Sequence, residues 1–248
     1  MSARAEAQVP VIEPVWDAPA RVRARVTTRD GGLSRGAWAG LNLAAHVGDD
    51  PAAVAANRAR LVAALALPGA PRWLTQVHGA RCVDAARLDA PVEADASYAR
   101  TPGVVCAVLT ADCLPILLCD RDASCVAAVH AGWRGLHDGA IAAAIAALGV
   151  PAERLCAWIG PGIGVDAYVV GEELRVRFLA RDPALAACFE RRGGDWHADL
   201  AAIARHQLDR AGVAAVAASG LCTFTDPRFY SYRRDGLTGR FASLVWLS

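Results

Sequence analysis

Short apolar runs alternate with amphipathic stretches along the chain, and this alternation predicts a mixed α/β fold. Residues 22–28 alternate apolar side chains with arginine and threonine, a pattern typical of a half-buried strand. Two short strands are predicted at residues 73–77 and around Val83. From residue 104 the pattern becomes rich in strands, and the apolar runs that predict them are VVCAVLT, PILLCD, CVAAVH, LCAWIG, VAAVAAS and FASLVWL.

Helix signals lie between these strands. Asp50 and Pro51 stand at the N-cap and first position of a helix that continues through AAVAANRARLVAALAL. The alanine-rich stretch IAAAIAALG ends at Gly149, where a glycine beyond a helix C-terminus is expected. EELRVRFLAR and DLAAIARHQLDRAG predict two more helices. No repeat or linker interrupts the chain, so we expect a polar lead-in over residues 1–20 and one α/β domain over residues 21–248.

Composition narrows the class of protein. Hydrophobic residues make up 54% of the chain and charged residues 21%, as expected of a globular protein. No apolar run reaches the roughly 18 residues of a membrane span, and the N-terminal stretch lacks the apolar core of a signal peptide. The net charge is +1, which gives no electrostatic argument for nucleic acid or an anionic membrane as a partner. We therefore expect a cytoplasmic protein.

The chain contains eight cysteines and no C-x-x-C motif, which argues against a zinc ribbon or a thioredoxin-type redox pair. Reduced thiols are expected in the cytoplasm, and we interpret Cys106, Cys119 and Cys125 as packing residues within strands. All 26 basic residues are arginines. Schiff-base chemistry through a lysine is therefore excluded.

One predicted hairpin brings a thiol and an imidazole together. PILLCD and CVAAVH are separated by about five polar residues, a common hairpin length. With the turn centred near Asp122, His130 lies opposite Cys113 or Leu114. Directly opposed residues have Cβ atoms about 4.5–5.5 Å apart, which suits two ligands of one metal ion.

Two further residues near these strand ends have open roles. His78 ends an apolar run and precedes Gly79, which lets the backbone turn sharply. Taken alone, His78 is better interpreted as a hydrogen-bonded or solvated residue. Asp112 orients a ligand, acts as a general acid or base, or caps local N–H groups in a turn.

Seven motifs in order resemble those of the laccase-domain, or multicopper-polyphenol-oxidase-like, family of bacterial proteins. The resemblance covers residues 22–247, and its motifs are TTRDGGLSRG, LNLAAHVGDD, LTQVHG, LTADCLPILL, HAGWRG, IGPGIG and SYRRDGLTGR. It implies an α/β/β/α-type sandwich with mixed sheets and a metal at the strand ends. It also implies zinc held by His78, Cys113 and His130, which leaves a fourth position open as in catalytic zinc sites.

The resemblance further implies a zinc enzyme that acts on purine nucleosides. One expected reaction is phosphorolysis of adenosine, inosine, guanosine and 5′-methylthioadenosine, which consumes phosphate and releases the free base. The other is deamination of adenosine to inosine. The sequence does not rank the two reactions and says nothing of the oligomeric state.

Substrate-binding candidates surround the ligands. Arg134 lies at a predicted helix N-terminus, where it binds phosphate or pairs with a carboxylate in a tight turn. Asn42 and Arg58 lie in stretches that resemble the family. Arg233 and Arg234 lie in an aromatic loop, and we expect one to bind substrate and the other to close the domain. The remaining histidines, His46, His137, His197 and His206, are interpreted as structural or surface residues.

Three other functions stay open. The family resembles cysteine hydrolases in fold, and its members are linked to editing of wrongly incorporated serine in peptidoglycan precursors. In that amide hydrolase Cys113 is the nucleophile and His130 its base. Copper-dependent phenol oxidation is disfavoured because six histidines supply one plausible three-ligand site, although such a site can take up copper in vitro. A metal-binding partner of cell-wall or division proteins would bind zinc without turnover.

Overall fold

Thirteen strands alternate with helices in the computed structural model, which describes residues 9–248. The strands are β1 (Val11–Ile12), β2 (Val22–Thr27), β3 (Cys82–Asp84), β4 (Ala96–Ala99), β5 (Cys106–Thr110), β6 (Leu114–Asp120), β7 (Val126–Ala131), β8 (Leu155–Ile159), β9 (Val169–Val170), β10 (Phe189–Arg192), β11 (Asp195–Ala198), β12 (Ala215–Ala218) and β13 (Phe241–Leu247). The α-helices are α1 (Pro51–Ala64), α2 (Trp133–Asp138), α3 (Ala140–Leu148), α4 (Glu172–Arg181), α5 (Leu200–Arg210) and α6 (Tyr232–Asp235).

The strands form two main sheets and one small sheet. The first main sheet has the order β1-β2-β13-β5 and is antiparallel throughout. The second has the order β12-β8-β6-β7-β4-β3 and is mixed, with parallel pairing at both edges. β10, β11 and β9 form the small sheet. β5 and β6 follow each other in the chain but belong to different main sheets, so residues 111–113 cross between them.

Three apolar clusters hold the layers together. Val26 and Val108 of the four-stranded sheet pack with Leu117 and Trp158 of the six-stranded sheet. The outer face of the six-stranded sheet packs against α2, α3, α4 and α5, and the outer face of the four-stranded sheet packs against α1. The predicted α/β/β/α sandwich with mixed sheets is confirmed.

The caps predicted for two helices are present. The Asp50 carboxylate accepts the N–H of Ala52 at 2.9 Å, and Pro51 begins α1. Gly149 follows α3 in the left-handed conformation at φ +58°. Gly139, at φ +91°, separates α3 from α2, so the segment after His130 contains two helices.

Two predictions about strands were wrong in detail. Residues 73–77 form no strand. Thr75 makes an isolated bridge to Glu93, and Arg72, just before this segment, makes one to Cys106. In the β6–β7 hairpin, His130 lies opposite Pro115 rather than opposite Cys113 or Leu114. The reason is the turn, where Asp120 N–H bonds to the Cys125 carbonyl around a four-residue loop. Cys113 directly precedes β6.

The N-terminal segment adds an edge to the first sheet. β1 lies within the predicted lead-in of residues 1–20 and pairs antiparallel with β2. Residues 1–8 of that lead-in lie outside the described part of the chain. Among the described residues, every helix is too short or too polar to cross a membrane.

Candidate metal centre and its pocket

Three side chains from separate segments meet where the two main sheets adjoin. His78 lies in the loop before β3, Cys113 at the crossover between sheets, and His130 near the end of β7. Their ligand atoms all lie within 4.8 Å of one another, and the two imidazole rings meet edge to face with centroids 4.8 Å apart. The structure therefore brings together the three ligands that the resemblance implied.

A buried carboxylate holds two of these segments in place. Asp95, which is fully buried before β4, accepts the backbone N–H groups of Val77 (3.2 Å), His78 (2.9 Å) and Gly79 (2.7 Å). The same carboxylate accepts a hydrogen bond from Nδ1 of His130 at 2.7 Å. With the proton on Nδ1, the Nε2 lone pair of His130 is free to bind a metal.

Sequence reasoning missed Asp95. The sequence feature that could have indicated it is an aspartate between two alanines at the start of a short strand, in the stretch EADASY. A carboxylate at such a position is buried and must be paired or accept several hydrogen bonds. The identity of its partners depends on long-range contacts, because Asp95 and His130 are 35 residues apart in the chain.

The backbone at His78 differs from the expectation. His78 itself adopts φ +60°, and Gly79 does not have a positive φ. A left-handed conformation is unfavourable for a residue with a side chain, and such strain persists where surrounding contacts enforce it. The three N–H groups that Asp95 accepts supply that enforcement, so the carboxylate fixes the turn that presents the imidazole.

Asp112 turns the chain at the crossover and ties down a distant segment. Its φ is +94°, and its carboxylate accepts Thr223 Oγ1 and the Arg233 N–H, each at 2.6 Å. Its carbonyl accepts the N–H of Ile163 at 2.8 Å. Asp112 thus connects the neighbour of Cys113 to the segment that contains α6.

The electrostatics of the centre favour a thiolate. Burial opposes ionisation of Cys113, but the adjacent imidazoles of His130 and His78 outweigh it and lower the pKa of Cys113 to about 6. Burial likewise opposes protonation of His130, yet Cys113 and Asp95 raise the pKa of His130 to about 9. A thiolate is the form of cysteine that binds metals and acts as a nucleophile.

The donors and the space around them fit a metal ion. One thiolate and two imidazoles are a donor set used for zinc and copper. Gly132 stands beside them, and a Cβ added there would lie 2.7 Å from Cys113 Sγ and 3.3 Å from the His78 ring. A glycine is therefore required at this position for the thiol and imidazole to approach each other.

The centre lies on the wall of a cavity of about 400 Å³, a size typical of small-molecule sites. Three arginines line the cavity, and each guanidinium lies near an aromatic ring. The Cζ-to-centroid distances are 4.5 Å for Arg134 on Trp133, 5.1 Å for Arg233 on Tyr168 and 5.9 Å for Arg240 on Tyr232. The cavity thus presents positive charge and flat apolar faces beside the centre.

The two arginines of the aromatic loop have different surroundings. Arg233 lines the cavity and donates from Nη1 to the Val169 carbonyl at 3.1 Å. Arg234 points away from it, donating to the carbonyls of Thr223 and Phe229 and pairing with Asp235. Arg234 therefore ties loop segments together, whereas Arg233 faces the cavity. Arg134 makes no ion pair within residues 9–248, so the predicted carboxylate partner is not found there.

Asn42 and Arg58, which the resemblance placed among the substrate-binding candidates, do not line the cavity. Asn42 is fully buried, and its side chain bonds to the backbone of Ala44 and to Asp49. Arg58 donates to the Leu43 carbonyl at 2.9 Å and lies over the Trp73 ring. Both residues brace the loop that precedes α1.

His46 and Gln76 line the cavity and were not predicted to do so. Burial, with Arg240 and Arg58 nearby, lowers the pKa of His46 and so favours its neutral imidazole. Gln76 exchanges two 2.8 Å hydrogen bonds with the backbone of Leu109 and so attaches the His78 loop to β5.

The other histidines are structural or at the surface, as expected. His137 bonds to Asp138, His206 to Asp182, and His197 to the Val165 carbonyl. All eight cysteines are free thiols, and those interpreted as packing residues are fully buried.

A four-layer sandwich with a His-Cys-His centre where its two sheets meet defines the class of protein. A family model described as multi-copper polyphenol oxidoreductase laccase matches residues 23–248. The chain belongs to this family.

Close relatives cover nearly the whole chain. A purine nucleoside phosphorylase of Pseudomonas aeruginosa is 51% identical over 241 residues, which are 95% of this chain and 98% of the relative. The purine nucleoside phosphorylase YfiH of Escherichia coli is 46% identical over 96% of this chain and 98% of the relative. The crystal structure of a Neisseria meningitidis protein is similar with a TM-score of 0.92 and 46% identity, covering 96% of this chain and 99% of that one.

We predict that Asp95→Asn weakens metal binding by about 10- to 100-fold, because an amide cannot accept all four hydrogen bonds and no longer fixes the His130 tautomer. Titration with cobalt(II), whose thiolate absorption reports binding, measures the change. Asp209→Asn, an exposed aspartate of α5, is the matched control. Unchanged affinity in a folded Asp95→Asn protein contradicts the role assigned to this carboxylate.

Proposed function

We propose that the protein is a zinc-dependent purine nucleoside phosphorylase that acts on adenosine, inosine, guanosine and 5′-methylthioadenosine, and that it also deaminates adenosine. The observation that carries the proposal is a three-ligand His-Cys-His centre on the wall of a cavity lined by arginines and aromatic rings. The names of relatives that are 39–51% identical over at least 94% of this chain support it.

His78, Cys113 and His130 would hold the zinc. Three protein ligands are typical of a catalytic zinc site, since structural sites use four. A zinc ion there supplies a Lewis acid beside the substrate. Asp95 keeps the His130 ring oriented, and Gly132 leaves room for the ligands.

In phosphorolysis, a phosphate oxygen forms a bond to ribose C1′ while the C1′–N9 bond breaks. The purine leaves with the bonding electrons and takes up one proton, which the attacking dihydrogen phosphate loses. A cavity arginine holds the phosphate oxygens, and the aromatic rings of Trp133, Tyr168 and Tyr232 supply flat faces for the base. In deamination, water adds at C6 of adenosine and ammonia leaves, which gives inosine.

We assign Asp112 a positioning role in this scheme. Each of its carboxylate oxygens already accepts a hydrogen bond, from Thr223 and from the Arg233 backbone. The predicted general acid or base role of Asp112 is therefore less favoured than a role in holding Arg233 at the cavity. Eight free thiols support a cytoplasmic location for the enzyme.

Copper-dependent phenol oxidation has less support. Multicopper chemistry needs several clusters of ligands, and within residues 9–248 the side chains form one group suited to a metal ion. That group resembles a zinc site as closely as a copper site, so the family's descriptive name is a weak guide to the reaction.

A second candidate function has one specific observation in its favour. Cys113, His130 and Asp95 form a Cys-His-Asp arrangement, in which Asp95 orients the imidazole beside the thiolate. As an amide hydrolase, the Cys113 thiolate would attack a carbonyl carbon, and the amine would leave with a proton from His130. Water would then release the acid and restore the thiol. Misincorporated serine in a peptidoglycan precursor is the candidate substrate.

We predict that zinc-loaded protein converts adenosine to adenine only when phosphate is present, and to inosine without it. Cys113→Ala lowers both rates by at least about 100-fold, because it removes a metal ligand. Chromatography of the products separates the two reactions. Cys188→Ala, which removes a buried thiol remote from the cavity, keeps the wild-type rates. Absence of both products from protein with stoichiometric zinc supports amide hydrolysis instead.

A second prediction concerns the thiol itself. In metal-free protein, iodoacetamide alkylates Cys113 with a rate that rises as pH passes through about 6 and then levels off, since the thiolate reacts. Burial raises the pKa of Cys82 to about 12, so that thiol stays slow and serves as an internal control. Peptide mass spectrometry follows each site. Added zinc suppresses the reaction of Cys113. Alkylation at the same rate with and without zinc would favour Cys113 as the nucleophile of an amide hydrolase.

A further inference from the structure

The arginines of the cavity differ in how far they are removed from water. Arg134 and Arg233 are exposed, whereas Arg240, directly before β13, is half-buried. None of the three pairs with a carboxylate within the described residues. An unpaired cation is most costly, and attracts an anion most strongly, where it is least hydrated. Arg240 is therefore the arginine whose surroundings most require an anionic ligand.

The guanidinium of Arg240 has one edge in use and one free. Its Nη1 donates to the carbonyls of Thr238 and Gly239, both at 2.9 Å. Its Nε and Nη2 have no hydrogen-bond partner among residues 9–248. Two parallel donors on one planar edge match two oxygens of a phosphate, and this bidentate geometry is available to arginine and not to lysine.

The backbone of Arg240 is held on both sides by the loop that contains Asn42. The Arg240 N–H donates to Asn42 Oδ1 at 2.9 Å, and the Arg240 carbonyl accepts the N–H of Leu43 at 3.2 Å. Gly239 packs so tightly that an added Cβ would lie 3.0 Å from Asn42 Cβ and 2.7 Å from the Tyr230 ring. Such contacts fix the position from which the guanidinium enters the cavity.

The one carboxylate that lines the cavity, among the described residues, already accepts hydrogen bonds from other groups. Asp112 lines the same cavity, but its carboxylate accepts hydrogen bonds from Thr223 and from the backbone of Arg233. His46 lies on the same wall and carries no negative charge, so it does not compete with an anion for Arg240. The Cys113 thiolate and the Asp112 carboxylate act on Arg240 at longer range. Neither forms a hydrogen bond or an ion pair with its guanidinium within residues 9–248, so the free edge of Arg240 is left for a ligand.

We propose that the free Nε–Nη2 edge of Arg240 binds the phosphate co-substrate, and that buried Asn42 positions Arg240 for this contact. The assignment of phosphate as co-substrate rests on the proposed phosphorylase function, while oxyanion binding at Arg240 stands independently of it. Asn42 therefore acts on phosphate through Arg240, although it lies outside the cavity. Arg134 and Arg233, exposed and stacked on rings, are left to contact the nucleoside.

Steady-state phosphorolysis of inosine by zinc-loaded protein tests the proposal. Arg240→Lys keeps the charge and removes the bidentate edge, so the KM for phosphate rises by at least about tenfold while the KM for inosine changes less than about twofold. Arg177→Lys, an exposed arginine of α4, is the matched control and keeps both values. Arg134→Ala tests the alternative phosphate site. If the KM for phosphate rises more in Arg134→Ala than in Arg240→Lys, the assignment to Arg240 is wrong.

Asn42→Ala tests the positioning role. We expect the KM for phosphate to rise in the same direction as in Arg240→Lys while the KM for inosine is retained. A loss of thermal stability with both KM values unchanged would show that Asn42 is merely structural. If this variant does not fold, Arg240→Lys still tests the phosphate contact.

Binding of inorganic phosphate alone, measured by isothermal titration calorimetry, separates this proposal from the proposed function. Binding that is weakened in Arg240→Lys and retained in Arg177→Lys supports the subsite even if no nucleoside is cleaved. Phosphorolysis with equal phosphate affinity in wild type and Arg240→Lys supports the function and rejects the subsite.

Discussion

The carboxylate of Asp95 accepts four hydrogen bonds, and the candidate metal centre depends on all of them. Three come from the strained turn at His78, and the fourth comes from the ring of His130. A buried carboxylate needs such donors, since burial without partners would be strongly unfavourable. One side chain thereby joins a loop without regular structure to the central strand β7, and it sets the tautomer of one ligand while fixing the backbone of another.

The third ligand reaches the centre for a topological reason. The chain passes from the four-stranded to the six-stranded sheet at residues 111–113, so Cys113 stands at the junction of both sheets. Asp112 makes that crossover with a positive φ and holds the segment that presents Arg233. The neighbouring β13 begins directly after Arg240, and its first residue, Phe241, pairs with Thr110 at the end of β5. The metal centre and the basic cavity therefore lie at the same place, where β5 ends, β13 begins and the chain crosses between the two main sheets.

Local patterns were sufficient for most strands of the two main sheets, for helices α1, α3, α4 and α5, and for the pairing of β6 with β7, because periodicity and caps act within a few residues. The short strands β1, β4, β9, β10 and β11 and the short helices α2 and α6 were not predicted. The register of that hairpin depended on its four-residue turn, which the Asp120 N–H closes onto the Cys125 carbonyl and in which Ala123 has a φ of +53°. The resemblance supplied His78, which no spacing could connect to Cys113. Asp95 and the cavity position of Arg240 escaped prediction because their roles arise from contacts between distant segments.

X-ray absorption at the zinc edge tests the central claim most directly, since it reports the atoms bound to the metal. The account predicts one sulfur at about 2.3 Å and two imidazole nitrogens at about 2.0–2.1 Å, with a further light atom completing four ligands. It also predicts that Cys113→Ala loses the sulfur signal while Cys188→Ala retains it. A zinc spectrum without sulfur, or with sulfur that survives in Cys113→Ala, would contradict a His78-Cys113-His130 centre.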